Sequence, residues 1–308
     1  MAFSRVLLWR FSLSIVLLTT VSSSLIAQSY VGLNVDNDLY FGIDRYYSSG
    51  IFLEFGVLVN TPKDSLSKWG YVSRHWTLGQ EINTPSLRQT EIISEMDYPY
   101  NGSLFLGYKK ERFQHPDLGY GWGIQFGTSG ANASLAKFLQ NTYHTLLLNL
   151  KPLTWAFSLP QAFHLNGNGS FYWGKKLGKA TKWVTHNHLQ LGTFRTSLRS
   201  RFGLQVGKLP GLPFFGNRLE QFQNGVSFFL GMVLEYSTHD YSLSGSAFRN
   251  NTPFQLQAIP FRNIYQAGLI YFRSPLKLHV LLNNSSAFIE GQRYNRHPYL
   301  NITLSYLF

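Results

Sequence analysis

"YLNITLSYLF", residues Tyr299 to Phe308, alternates without a slip: Leu300, Ile302, Leu304, Tyr306 and Phe308 fall on one face, and Asn301, Thr303 and Ser305 on the other. A soluble sandwich also alternates, but its outer face carries charges over an apolar core. Here the second face is small and uncharged, which suits a wall with lipid outside and a polar interior. The pattern recurs at Val226/Phe228/Leu230/Met232/Leu234/Tyr236, at Phe202/Leu204/Val206 against Gly203 and Gln205, at Tyr120/Trp122/Ile124/Phe126 against glycines, and at Leu276/Leu278/Val280/Leu282. Lipid demands closure, because an open sheet edge would leave unpaired backbone groups in hydrocarbon.

Composition agrees with this solvent. Aromatic residues make up 16% of the chain and charged residues only 14%, where soluble domains carry about 25% charge. Arg5 and Arg10, the apolar run Phe11 to Val21 and the small residues before Ala27 have the layout of an export signal. The run is shorter than the roughly 20 apolar residues that cross a bilayer as a helix. The expected organisation is therefore a signal peptide at 1–27 and an outer-membrane barrel at 28–308. There is no cysteine, hence no disulfide framework. Export makes nucleic acid an unsuitable partner for the +12 net charge, which points instead to phosphorylated lipid or polysaccharide.

Counting alternating segments between turn residues gives twelve, from 29–38 to 297–308, an even number as in single-chain bacterial barrels. The expected fold is all-β: a closed antiparallel transmembrane barrel of about 12 strands, with long connections outside the cell and short turns such as "FRSPLK" inside. The connection 129–162 holds the one helical stretch, near 133–149, with Leu135, Phe138, Leu139, Tyr143, Leu146 and Leu147 at helical spacing. Gln140 and His144, four apart, share a face of it. The helix is expected over the barrel mouth, and bulky lumen residues such as Phe229 and Glu235 are expected to block the pore.

The first hairpin, "VGLNVDNDLYFGIDRYYSSGIFLEFGV" (Val31 to Val57), concentrates Asp36, Asn37, Asp38, Asp44 and Ser48 at the outer rim of two apolar strands. Solvation explains many such clusters, but carboxylate and amide oxygens on a strand end are also what a hard cation such as calcium takes. His144 and His239, the latter beside Asp240, are rival histidines for this rim. His186 and His188 form a pair at strand spacing that lacks a third metal ligand.

The residues "DNDLYFGIDRYYSSG", "DYPYNG" at Asp97–Gly102, and Gln140, His144 and Trp155 resemble the lipid A 3-O-deacylases of the LpxR type. The resemblance implies a bacterial outer-membrane barrel with an active site on the extracellular side, and the chain is expected to be a monomer. The implied reaction is calcium-dependent hydrolysis of an ester-linked acyl chain of lipopolysaccharide. It further implies that Asn37 and Asp38 hold the cation, that Ser48 lines the site, and that Gln140 and His144 come from the loop helix, His144 as general base. Two features depart from the family: Leu150 stands where an acid is expected, and "AFSLPQAF" replaces an acid-bearing run after Trp155. A non-catalytic binding or structural barrel and a calcium-dependent outer-membrane phospholipase A are the alternative readings.

Overall fold

The computed structural model describes residues 29–60, 70–215, 224–248, 252–253 and 256–308; the expected signal peptide lies outside the described residues. Twelve strands run in chain order: β1 (Ser29–Asn37), β2 (Tyr46–Asn60), β3 (Tyr71–Thr84), β4 (Asn101–His115), β5 (Leu118–Ser129), β6 (Ala162–Lys176), β7 (Thr181–Gly192), β8 (Arg195–Gly207), β9 (Gly225–Asp240), β10 (Phe261–Arg273), β11 (Leu276–Ser286) and β12 (Arg296–Leu307). Each pairs antiparallel with its sequence neighbours, and β1 closes on β12 from Tyr30↔Leu307 to Asn37↔Leu300. The expected closed barrel of twelve strands is what forms.

Alternation decides which side chain meets which medium. Leu33, Leu53, Leu78, Leu106, Leu189, Leu204, Leu230 and Leu304 stand exposed on the outside. Neighbouring outward aromatics link into a girdle, Phe55–Trp76 and Trp76–Tyr108 at 5.6 Å and Tyr108–Trp122 at 5.8 Å, as in barrels anchored at a membrane interface. No described helix is long and apolar enough to cross a membrane; the strands do the crossing. The protein is thus a β-barrel of the outer membrane.

Phe229 and Glu235 do lie inside, 3% and 1% exposed. The remaining plug comes from an unexpected place. Residues 208–215, after β8, turn inward so that Leu209, Leu212 and Phe214 pack with Phe113, Tyr172, Phe229 and Phe272. Lys182 Nζ donates to the Gly211 carbonyl at 3.0 Å and pins that turn. At the opposite end the lumen is filled by ion pairs: Asp240 accepts Arg195 at 3.1 Å and Arg262 at 3.3 Å, and Arg262 also meets Glu235 at 3.3 Å. Removing one member of such a buried set strands its partners. Asp240→Ala is therefore expected to cost roughly 3–5 kcal/mol, read as an earlier urea-unfolding midpoint of the vesicle-reconstituted barrel.

The loop helix α1 spans Ala136–Leu146, inside the expected 133–149. Its seat differs from expectation. Gln80, Ile82, Thr84 and Gly102 belong to the outward rows of β3 and β4, in register Gln80↔Leu104 and Ile82↔Gly102. The helix lies on that outer wall: a Cβ added to Gly102 would stand 2.1 Å from the Ala136 Cβ, and Gln80 Nε2 donates to the Ser134 carbonyl at 3.4 Å. Ala136, Gln140 and His144 are buried against the wall, while Phe138, Leu139, Leu146 and Leu147 are exposed. The apolar stripe faces away from the protein because lipid, not water, is the medium beside the barrel wall.

Candidate active site

The rim turn after β1 is built by its own acids and amides. Asn37 Oδ1 accepts the Leu39 N–H at 2.7 Å, a short helical turn runs over Leu39–Phe41, and Gly42 reverses the chain at φ 68°, where a side chain would be strained. Asp38 Oδ2 then accepts the Arg45 N–H at 2.9 Å and straps the turn shut. In β2 a bulge between Tyr47 and Ser49 takes Ser48 out of the ladder. Its hydroxyl reaches Thr84 Oγ1 at 3.1 Å and the Ile82 carbonyl at 3.3 Å.

Helix α1 faces this edge. Gln140 Nε2 donates to Thr84 Oγ1 at 3.0 Å, and His144 Nε2 meets Asp44 Oδ2 at 2.9 Å. Arg88 Nη1 donates to the same Asp44 oxygen at 2.8 Å. His144 and Asp44 are both buried. With Nε2 engaged by the carboxylate, Nδ1 is the other ring nitrogen of His144. Asn141 clasps the return segment, its Oδ1 accepting Leu153 N at 2.7 Å and its Nδ2 donating to Leu153 O at 3.1 Å. Tyr100 stacks on Trp155 at 5.1 Å beneath it.

Two buried oxygens at this edge, Asp38 Oδ1 and Gln140 Oε1, have no hydrogen-bond partner. Burial pushes the Asp38 carboxyl up to about 9, against the Arg45 N–H and with help from repulsion by Asp44. A buried carboxylate oxygen without a donor is costly unless something positive meets it. Among the described residues no three His, Cys, Asp or Glu side chains gather as a metal site. The fit to an oxygen-seeking cation thus rests on Asp38 with amide oxygens, a sparse set that water and substrate oxygens would complete.

The structure brings Asp38, Ser48, Gln140 and His144 to one edge, beside the turn that Asn37 shapes. It also supplies what sequence reading missed. Asp44, read only as one acid among several, is the partner of His144; Thr84 joins Ser48 to Gln140; and Arg88 is paired to Asp44. Thr84 ends an ordinary strand and carries no sequence signal. His239 is not at this edge: its Nε2 meets the Thr193 carbonyl at 3.1 Å, and Asp240 is committed to Arg195 and Arg262. His186 stacks on Tyr172 at 4.4 Å and His188 bonds Ser170, inside the barrel. Leu150 is exposed, and its N–H caps the His144 carbonyl at 2.8 Å. Among the described residues, the non-glycine positions with positive φ are Tyr46, which opens β2, and Leu135, Asn149, Trp155 and Phe157 in the connection that carries α1; all of them frame this edge. Strain of this kind gathers where surrounding structure over-determines a site.

Comparison with known proteins gives one family. The family described as "Outer membrane protein LpxR" matches residues 8–308. Among solved structures, LpxR from Salmonella typhimurium is similar with a TM-score of 0.74 at 16% identity, covering 91% of this chain and 100% of that one. The β domain of the Bordetella autotransporter BrkA, at 11% identity over 91% of this chain and 98% of that one, has a TM-score of 0.47. The curated proteins include no match to the sequence.

Proposed function

The chain belongs to the LpxR family of outer-membrane proteins, and from that membership and the geometry of the rim we propose that it is a lipid A-modifying enzyme that hydrolyses an ester-linked acyl chain of lipopolysaccharide from the extracellular side. One observation carries the reading. The helix that presents His144 to Asp44 on one face presents Phe138, Leu139, Leu146 and Leu147 to the bilayer on the other. The site therefore opens beside acyl chains and not into a plugged lumen.

In this reading Asp44 holds the imidazole by Nε2 and leaves Nδ1 to take a proton from water as that water attacks the ester carbonyl. The water oxygen bonds to the carbonyl carbon, the bond between that carbon and the ester oxygen breaks to leave the fatty acid, and His144 returns the proton to the departing sugar alkoxide. Asp44 stabilises the imidazolium between those two transfers. Ser48, Thr84 and Gln140 form a polar edge that orients the ester. Asp38, with amide oxygens such as Gln140 Oε1, would hold a calcium ion, which when bound supplies positive charge against the developing oxyanion. With Asp38 as its charged ligand and Leu150 turned away, the ion should be held weakly, in the roughly 10⁻⁴–10⁻³ M range of extracellular sites.

The test is mass spectrometry of lipid A from cells expressing the chain, with and without chelator. Loss of one acyl chain, restored by millimolar calcium, is the expected result. Unchanged lipid A with folded protein would move the reading to a binding or structural barrel, and hydrolysed phospholipid would move it to a phospholipase.

A further inference from the structure

On the wall opposite the His144 edge, the lipid-facing surface of β8–β11 is indented by a groove of about 580 Å³. Its floor is Ala267, whose ladder partners are Leu230 and Leu282, so one methyl group lies between two large side chains. Trp183, Phe202, Met232 and Tyr265 complete its sides. An open apolar groove of this volume along a barrel wall fits a hydrocarbon chain lying on it.

Its end nearest the long connections carries a cation. Arg296 opens β12 on the outward row. Its Nη1 donates to Asn263 Oδ1 at 2.7 Å and its Nε to Asn284 Oδ1 at 3.2 Å, Nη2 bonds the Asn284 carbonyl, and the guanidinium lies 4.5 Å over the Tyr265 ring. Tyr265 and Asn284 also line the groove, so cation and groove are one surface. The acceptors are all neutral: no ion pair among the described residues neutralises this arginine. An outward arginine is costly at the bilayer midplane and nearly free at the interface, where a lipid phosphate is its natural partner.

We propose that Arg296 and this groove bind one molecule of a phosphorylated glycolipid of the lipid A class, phosphate on the guanidinium and one acyl chain along Ala267, at a site separate from the His144 edge. The choice of lipid follows from the end at which Arg296 stands: the rim of long connections meets the outer leaflet, which is built of phosphorylated glycolipid. The inference rests on that orientation and not on the hydrolytic reading.

Native mass spectrometry of the detergent-solubilised full chain tests it, using hexa-acyl bisphosphorylated lipid A as probe and phosphatidylglycerol as comparator. A His144→Ala background in chelator removes turnover. Arg296→Ala and Ala267→Trp are each expected to lower retained lipid A by about tenfold or more, with Arg296→Lys in between; tenfold corresponds to about 1.4 kcal/mol. Heat-shifted gel migration verifies folding, and Ala267→Trp alone decides the matter should Arg296→Ala fail to fold. Unchanged retention in the variants, equal retention of phosphatidylglycerol, or a dimer of the chain that Ala267→Trp dissociates would each overturn the proposal.

Discussion

Replacing His144 by alanine should lower lipid A deacylation by roughly 10²–10⁴-fold, the range by which a positioned general base accelerates proton transfer. The barrel should survive, because the ring is held by one contact to Asp44 on a helix laid against the outside of a closed sheet. The sharper member of the pair is Asp44→Asn. An asparagine amide cannot favour the imidazolium and can turn its N–H toward Nε2, which would fix the wrong tautomer. Activity should therefore fall by at least about tenfold, mainly in kcat, while acyl-chain binding by the exposed face of α1 persists. Kinetics on detergent-dispersed lipid A give both. Full activity in His144→Ala would remove the imidazole from the chemistry.

Why the fold was legible and the site only partly so follows from the range of the signals involved. Strand alternation is local, and lipid on one side of the wall makes it unusually clean, so Leu300/Ile302/Leu304 and its counterparts located every strand of the barrel. Helix periodicity found α1 and the shared face of Gln140 and His144, but not which way that face turned. In water the apolar stripe Phe138/Leu139/Leu146/Leu147 would have packed inward; beside a bilayer it turns out, and the seat moves from the mouth to the wall. The pairings of Asp44 with His144, and of Thr84 with Ser48 and Gln140, join connections distant in sequence. Nothing in the local pattern of Thr84 separates it from any other strand-end threonine. The inward turn at 208–215 was hidden for the same reason, since its partners Tyr172 and Phe272 lie on remote strands.

Asp38→Asn should separate stability from activity. The Asp38 carboxyl is fully buried, and burial, helped by repulsion from Asp44, raises it from its ordinary 3.8 to about 9 even though the Arg45 N–H holds one oxygen; the other oxygen has no hydrogen-bond partner. A group whose folded pKa is raised favours the folded state fully below its unfolded value, near pH 4, and that contribution is lost as pH climbs toward 9. Wild-type protein in chelator should consequently resist unfolding less at pH 9 than at pH 5, and the asparagine variant, uncharged at both, should show a weaker dependence and exceed wild type at the alkaline end. Calcium should reverse the difference for wild type only, since a cation on the carboxylate supplies what burial removed, and more so at high pH, where no proton competes for the oxygen. Activity should fall by about 10²-fold or more in the variant, as when a charge that stabilises an oxyanion is lost. Unfolding midpoints at both pH values, with and without calcium, read the first effect, and lipid A mass spectra read the second. An Asp38→Asn protein that is less stable than wild type in chelator at pH 9 would mean that this carboxylate already has its counter-charge within the chain, and the cation would lose its place at the rim.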